Sequence, residues 1–278
     1  MEIRRKRAWY RSSHRPRASS SSKAPGRWKL FNDPDPLVSV IIPAMNEQRT
    51  MEGVLREAGR VHPSSEVIVV VNGSVDRTSE IALKRGARVL TYPYPLGHDV
   101  GRRIGAEAAK GKVLLFIDAD MVIASRHLKP FVEAVASDGA DIALNDYSGP
   151  VERKEPHPVV LAKYTLNAIL ARPDLRGASM TAVPHALSRR ALEIIGFAAL
   201  EIPPLAHAMA VSMGLVVKPV YSVPVGQLNA RRGKVRGSDP LSSLVTGDHL
   251  EAVRWLIDKL GPRAGYTDLS RQRGRLRS

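Results

Sequence analysis

Two aspartates stand one residue apart, directly after an apolar run. The stretch KVLLFIDADMVI, residues 112–123, places Asp118 and Asp120 behind five consecutive apolar residues. Such a run is typical of a strand buried on both faces of a parallel sheet, and ligands bind outside the carboxyl ends of strands in such sheets. Two carboxylates this close repel each other unless a cation or hydrogen-bond donors lie between them. A divalent metal would resolve the repulsion; the alternative is a loop in which one aspartate caps the following helix.

Two earlier apolar runs also end in polar clusters. In IIPAMNE, Pro43 stops the run and Asn46 with Glu47 opens a helical pattern. In VVVNGSVDRTSEIA, Asn72 and Ser74 belong to a turn around Gly73, and Asp76 precedes the next helical pattern. Each cluster alone is explained by turn formation or helix capping. Three such clusters in one ordered array favour a binding site at one edge of a sheet.

The elements that would position these clusters alternate from residue 37 onward. Apolar segments predict four strands, at residues 37–43, 65–71, 87–92 and 112–118, and three helices between them, at 46–61, 76–86 and 97–111. Asp76 would open the second helix and Gly86 would close it. Repeated strands and helices of these lengths predict an α/β fold with a doubly wound, mostly parallel sheet and flanking helices.

The rhythm loosens from about Asp138, which predicts a second half built around the sheet rather than continuing it. A strand is expected at 141–146 and another at 215–223. Helices are expected at 158–171, 188–197, 203–214 and 248–261. The basic segment NARRGKVRGSDP, residues 229–240, is expected to be a loop that closes over a donor, binds an anionic acceptor or is simply solvated.

Composition and charge limit the kinds of partner and the cell compartment that are expected. The chain has 278 residues, 44% of them hydrophobic and none of them cysteine, so thiolate metal sites are excluded. The net charge of +15 is concentrated in the expected tails at 1–33 and 263–278. One domain is expected at 34–262, with a nucleotide-sugar half at 34–125 and an acceptor half at 126–262. Cytoplasmic localisation is expected, with peripheral contact to an anionic inner membrane face through the basic tail as an open alternative.

The ordered clusters resemble the nucleotide-sugar domain of family 2 glycosyltransferases, closely over residues 38–123 and loosely beyond. That family's Pro-x-x-Asn-Glu is matched by Pro43, Asn46 and Glu47, and its Asp-x-Asp by Asp118, Ala119 and Asp120. Its Asp-Asp-Gly-Ser-x-Asp is represented by residues 71–76, and its Gly-Lys stretch before a helix by Gly97, His98 and Arg103. The chain departs from the pattern in carrying Val71 and Asn72 for the two aspartates and His98 for the lysine.

The resemblance implies a GT-A fold and a metal-dependent transfer of sugar from a nucleoside diphosphate to an unidentified acceptor. A UDP-sugar is favoured and a GDP-sugar is the alternative; the metal is Mn²⁺ or Mg²⁺. Asp118 and Asp120 are the expected metal ligands, and His249 is a candidate third ligand. The donor is expected to contact Pro43, Asn46, Glu47, Asn72, Ser74, Asp76, His98, Arg103, Asp118 and Ala119. Such an enzyme would serve cell-envelope, glycolipid or polysaccharide synthesis.

The chain departs most from the family's pattern at the expected base for the acceptor. Inverting members carry a Glu-Asp pair at the start of a helix that follows Gly-Phe, where this chain reads GFAALEIPPLAHAMA. Glu201 is the expected substitute for the base, with His207 and His185 as alternatives.

Three other functions are weighed against a glycosyltransferase. A non-catalytic relative that binds nucleotide sugar or a protein partner is favoured by the missing pair and opposed by the intact Asp118 and Asp120. Nucleic-acid binding is disfavoured because only 5% of residues are aromatic and the basic excess lies at the ends. A nucleotidyltransferase is disfavoured because no glycine-rich, arginine-containing loop follows the first strand.

Overall fold

A seven-stranded sheet forms the centre of the protein. The computed structural model describes residues 28–149, 151, 154–228 and 240–272. The strand order is β3-β2-β1-β4-β6-β5-β7, and every neighbouring pair is parallel except those that involve β6. The strands are β1 (Val38–Ala44), β2 (Ser65–Asn72), β3 (Arg88–Tyr92), β4 (Val113–Phe116), β5 (Ile142–Asn145), β6 (His185–Ser188) and β7 (Val217–Tyr221). The expected mostly parallel α/β fold is confirmed.

Helices cover both faces of the sheet. They are α1 (Met51–Ala58), α2 (Thr78–Lys84), α3 (Val100–Ala108), α4 (Ser125–Ala136), α5 (Pro158–Ile169), α6 (Arg189–Ile195), α7 (Pro203–Ser212), α8 (Val225–Leu228) and α9 (Pro240–Leu260). Two short 3₁₀ helices lie at Pro173–Leu175 and Phe197–Glu201. None of these helices combines the length and apolar character that a membrane span requires, within the part of the chain that the structure describes.

The central strands are buried on both faces, as their unbroken apolar runs predict. All eight residues of β2 and all four of β4 are buried. Two separate apolar clusters form on opposite faces of the sheet, because alternate residues of each strand point to opposite sides. Val40 and Ile42 belong to one cluster and Ile41 to the other.

The expectation for the second half is wrong, because that half continues the sheet. Strand β6 lies antiparallel between β4 and β5, and β7 adds a parallel edge strand beyond β5. The sequence pattern missed β6 because its residues, His185–Ser188, form no continuous apolar run, and helix α4 also went unpredicted. Helix α9 begins well before the expected residue 248, and the expected basic loop lies mostly outside the described residues.

Helix α3 approaches the sheet through glycines. A Cβ atom at Gly105 would lie 2.4 Å from Ile41 Cγ2, and one at Gly101 would lie 2.9 Å from Pro43 Cβ. Because side chains there would collide with β1, glycine lets the helix backbone lie close to the sheet. This contact fixes the start of α3 beside the carboxyl end of β1.

The packed part of the chain extends into both expected tails. The indole of Trp28 lies beneath the guanidinium groups of Arg85 and Arg56, and the Leu30 amide donates to the Arg85 carbonyl. At the other end, the Tyr266 hydroxyl donates to the Ala168 carbonyl, 2.9 Å away. The packed domain therefore extends beyond the boundaries expected at residues 34 and 262. Residues 1–27 and 273–278 lie outside the described residues.

Candidate functional site

The paired aspartates lie at the point where the strand order reverses. From β1 the chain builds β2 and β3 on one side and then returns to place β4 on the other, so a crevice opens between β1 and β4 at their carboxyl ends. Asp118 and Asp120 follow β4 at this edge, and both are partly exposed. The cap of helix α4 is Ala124, so neither aspartate serves as a helix cap.

A buried arginine holds Asp118 in place. Arg102 Nη2 donates to Asp118 Oδ1 at 3.2 Å, while Arg102 Nη1 lies 2.5 Å from Asp99 Oδ1. The side chains of Arg102 and Asp99 are 5% and 6% exposed, whereas that of Asp118 is 32% exposed. Arg102 therefore connects a buried carboxylate to one that faces the crevice.

The electrostatics of this group agree with a charged arginine. Burial lowers the pKa of Arg102, but the negative charges of Asp99 and Asp118 outweigh it, so the pKa lies above its ordinary value. Burial raises the pKa of Asp99, against the opposing effects of Arg102 and His98. Asp99 also has a left-handed backbone, with φ of 64°, at the cap of α3. His98 Nε2 lies 3.6 Å from Asp99 Oδ2, so this expected donor-binding residue lies beside the pair.

The loops after β1 and β2 are fastened together by side chains from the expected donor pocket. The Asn46 amide donates to Ser74 Oγ at 3.0 Å, and Asn46 Oδ1 accepts from the Val75 amide at 2.9 Å. Asp76 Oδ2 accepts from the Gln48 amide at 3.2 Å. Asn46 has a φ of 59°, a conformation that asparagine tolerates better than most residues. The structure therefore gathers these three residues in one wall of the crevice.

The other residues of this region that are expected to contact the donor mostly form hydrogen bonds or packing contacts within the protein. Asn72 is buried, with Nδ2 directed to the Ala44 carbonyl and Oδ1 to the Leu96 amide. The Glu47 amide donates to Thr78 Oγ1 at 2.7 Å, and its carboxylate lies 3.5 Å from Thr50 Oγ1. Pro43 lies within β1 against α3, and Ala119 is buried between the aspartates. Their expected contacts with a donor stay predictions.

Glu201 and Arg103 meet each other across the crevice edge. Arg103 Nη1 donates to Glu201 Oε1 at 3.0 Å, and Arg103 Nε donates to Glu107 Oε1 at 2.8 Å. The side chains of Arg103 and Glu201 are 38% and 34% exposed. Glu201 ends the 3₁₀ helix before α7, so the structure brings the expected base to α3, the helix that holds Asp118 through Arg102.

The two candidate histidine bases lie inside the protein. His207 is fully buried, and its Nε2 bonds to Asn167 Oδ1 at 2.7 Å. His185 is 1% exposed and stacks on Phe116, with the ring centroids 5.1 Å apart. Burial lowers the pKa of each to about 3. A general base must reach the acceptor hydroxyl. The expectation that His207 or His185 serves as this base is therefore corrected, because both rings are buried.

The candidate third metal ligand, His249, is buried in α9, and its role as a ligand stays a prediction. His249 is 4% exposed, its Nδ1 donates to the Val245 carbonyl at 2.7 Å, and no group of three potential metal ligands forms among the described residues. Asp118 and Asp120 still fit a divalent ion, because their carboxylates are hard oxygen ligands at an open edge. Mg²⁺ commonly takes only one or two protein carboxylates and completes its shell with water and phosphate.

Three charged residues of this region were missed from the sequence. Arg102 and Asp99 hold Asp118, and Asp248 of α9 interacts electrostatically with Asp99 and His98. Burial raises the pKa of Asp248, and Asp99 adds to the increase. Helical spacing in α3 could have shown Arg102, because it shares the buried face with Ala106 while Arg103 shares the exposed face with Glu107.

Sequence relatives place the first half of the chain in a known family. Residues 39–173 match the model of the glycosyl transferase family 2. Glycosyltransferase AglD of Haloferax volcanii is 34% identical over 154 residues, which cover 50% of this chain and 25% of that protein. The dolichyl-phosphate hexose transferase of the same organism is 31% identical over 109 residues, which cover 39% and 47%. The aligned part spans between a quarter and a half of these relatives.

Solved structures extend the likeness to the fold of the second half. Glucosyl-3-phosphoglycerate synthase from Mycobacterium tuberculosis, in complex with Mn²⁺ and UDP-glucose, superposes with a TM-score of 0.59 at 21% identity, covering 84% of this chain and 81% of that one. The complex with Mn²⁺, UDP and phosphoglyceric acid gives 0.58 at 21% identity, covering 84% and 80%. The expected GT-A fold and family resemblance are thereby confirmed. Residues 39–173 are thus similar in sequence to family 2 glycosyl transferases, and the sheet with its helices is similar in fold to these solved structures.

Proposed function

We propose that this protein is a metal-dependent glycosyltransferase that moves a sugar from a UDP-sugar to an acceptor. The observation that carries the proposal is the position of Asp118 and Asp120 at the carboxyl end of β4, with Asp118 held by Arg102. The solved structures that share the fold contain UDP-glucose and Mn²⁺, which supports a uridine nucleotide and a divalent ion. GDP-sugar is the alternative donor, since no side-chain contact here singles out a base.

The chain's own residues divide the work at the crevice. Asp118 and Asp120 would hold Mn²⁺ or Mg²⁺, which neutralises the developing charge of the leaving diphosphate. The loops joined through Asn46, Ser74 and Asp76 would form the wall beside the nucleoside. Arg102 would keep the Asp118 carboxylate turned toward the metal, because its charge is fixed between two carboxylates.

Glu201 is the proposed base for the acceptor hydroxyl. Its carboxylate is partly exposed and already bound to Arg103, which orients it at the crevice edge. A base held by an arginine must exchange this hydrogen bond for one with the acceptor, so Arg103 would position Glu201 before the acceptor binds. Inversion would follow if displacement is direct.

Contact with an anionic membrane is a separate proposal, supported by the basic residues of the amino-terminal segment and by relatives named as dolichyl-phosphate transferases. Flotation of the full chain with anionic and neutral vesicles tests it. Binding to anionic vesicles that is lost at high salt supports the contact, and equal recovery with both kinds of vesicle contradicts it.

The enzyme assay measures UDP or GDP released from a panel of nucleotide sugars, with Mn²⁺, with Mg²⁺ and with chelator. Metal-dependent release from one UDP-sugar supports the proposed reaction. Asp120→Asn should abolish that release while the fold is retained, because one metal ligand is lost. Turnover that is unchanged with chelator or in Asp120→Asn would contradict the proposal, and tight donor binding without turnover would favour a non-catalytic binding protein.

A further inference from the structure

An ammonium group with unsatisfied charge lies inside the second half of the protein. Lys163 of α5 is 6% exposed, and its Nζ makes one long hydrogen bond, 3.4 Å, to the Tyr147 carbonyl. No Asp or Glu oxygen lies within 4.0 Å of Nζ in the described part of the chain. An ammonium has three donors, and a buried charge is costly unless it is paired. Lys163 therefore has a charge and donors that the described residues around it leave largely unused.

The two histidines that interact electrostatically with this lysine, His207 and His249, supply no negative charge. Asn167 Nδ2 donates to two carbonyl groups, so its Oδ1 accepts from His207 Nε2, and His249 Nδ1 donates to the Val245 carbonyl. The remaining ring nitrogens, His207 Nδ1 and His249 Nε2, are buried acceptors without a partner among the described residues. Burial lowers the pKa of both rings, so they stay neutral and the region carries a net positive charge from Lys163.

Lys163 reaches the same edge of the sheet as the paired aspartates. Strands β4 and β5 run in the same direction, because each is antiparallel to β6. Tyr147 follows the carboxyl end of β5 by two residues, as Asp118 follows that of β4. The adjacent residues Asp248 and His249 of α9 connect the two places, since Asp248 interacts with the start of α3 and His249 interacts with Lys163.

A second cation lies at this end of β5. Arg176 Nη2 bonds to Asp146 Oδ1 at 2.7 Å, and the following amide, of Gly177, donates to Ser148 Oγ. The Arg176 charge is already paired and its side chain is 59% exposed, in contrast to Lys163. Asp146 therefore balances the charge of Arg176, whereas Lys163 has no carboxylate oxygen within 4.0 Å of its Nζ among the described residues.

We propose that Lys163 recognises an anionic group, a phosphate monoester or a carboxylate, on the acceptor. This inference rests on the proposed function, because it assigns the substrate class of the same crevice. An anion supplies the charge and the hydrogen-bond acceptors that Lys163 lacks, so its binding offsets the cost of burying the ammonium. Lys163 is a specificity residue in this account and takes no part in bond breaking.

Calorimetric titration of the full chain tests the assignment in two stages. UDP is first titrated with Mn²⁺, and its binding tests the proposed function before any acceptor anion is added. Phosphoglyceric acid, a short-chain polyprenyl phosphate in detergent and inorganic phosphate are then titrated separately, with glycerol and the matching prenol as neutral controls. Phosphoglyceric acid and the polyprenyl phosphate distinguish a soluble source of the anion from a lipid source. Lys163→Met removes the charge with little change in volume, Lys163→Arg keeps it, and Lys129→Met is the control at an exposed helical lysine.

The expected result is that at least one anion binds, that Lys163→Met weakens its Kd tenfold or more, and that Lys163→Arg weakens it less. UDP binding and the Lys129→Met variant should be unchanged. Equal anion affinity in wild type and Lys163→Met would overturn the assignment, as would UDP binding with no affinity for any anion. Absence of UDP binding would instead contradict the proposed function, so the two failures are distinguishable.

Discussion

Arg102 Nη2 lies 3.2 Å from Asp118 Oδ1, and the same guanidinium is paired with the buried Asp99. The first aspartate of the pair that follows β4 is thus held from behind by a charge that cannot titrate in the ordinary pH range. The Asp118 side chain is nevertheless partly exposed. The metal site proposed here therefore depends on a residue that would not contact the metal.

Loss of Arg102 should destabilise the protein strongly. Arg102→Met leaves Asp99 buried beside Asp118 without their shared cation, and breaking a buried pair on one side costs about 3–5 kcal/mol. Denaturant unfolding measures the change in the free energy of unfolding. Arg103→Met, one residue further on the exposed face of α3, is the control and should cost less than about 1 kcal/mol. Similar losses in both variants would contradict the role assigned to Arg102.

Glu201→Gln should slow turnover without weakening nucleotide binding. Loss of a positioned general base reduces the rate by about 10²–10⁴-fold. The rate of UDP release under saturating donor and the Kd for UDP are the two measurements. Glu107→Gln is the matched control, because Glu107 is the other carboxylate bound to Arg103. A normal rate in Glu201→Gln, or an equal loss in both variants, would remove Glu201 from the mechanism.

Acid should unfold the protein partly through its buried histidines. Burial lowers the pKa of His207 from 6.5 to about 3, so the unfolded chain binds more protons than the folded one between these values. Stability is then lost as the pH falls from about 6.5 toward 3, by roughly 1.4 kcal/mol per unit for one such group. The free energy of unfolding of His207→Gln, measured at several pH values, should fall less steeply than that of wild type. Parallel curves would contradict a neutral buried His207.

Lys163 should produce the corresponding effect at alkaline pH. Burial lowers its pKa from 10.5 to about 8, so folding releases a proton between these values and the folded state gains stability as the pH rises through them. Lys163→Met should lack this rise and should be more stable than wild type at pH 7, by about 1–3 kcal/mol. Lys129→Met corrects for the general titration of lysines. A Lys163→Met variant that is less stable at pH 7 and retains the rise would contradict the burial of an unpaired ammonium.

The sequence predicted the first half of the fold well, because its signals are local. The runs that became β1, β2 and β4 are continuously apolar, and the polar clusters at their ends mark the carboxyl edge of the sheet. In the second half the expected strands and helices formed, but the sequence did not predict that β6 lies antiparallel between β4 and β5, because these pairing partners are distant in sequence. Tertiary pairing of this kind leaves no periodic pattern in the chain.

For the candidate site as well, the sequence indicated some residues, and others became apparent only from the packing. Asp118 and Asp120 could be found from their type and place, whereas Arg102 was passed over for its neighbour Arg103, because two adjacent arginines look alike until the helix buries one of them. His207 was misjudged for the same reason, because it has the side-chain chemistry of a base but the packing of α5, α7 and α9 encloses it.

A calorimetric titration of the full chain with UDP, repeated with Mn²⁺ and with chelator, tests the central claim most directly. The account predicts saturable UDP binding with Mn²⁺ and an affinity that is at least tenfold weaker with chelator. The Asp120→Asn variant should show the same loss of affinity in the presence of Mn²⁺. Equal affinity with and without the metal, or no affinity for UDP under either condition, would contradict a metal-dependent uridine nucleotide site after β4.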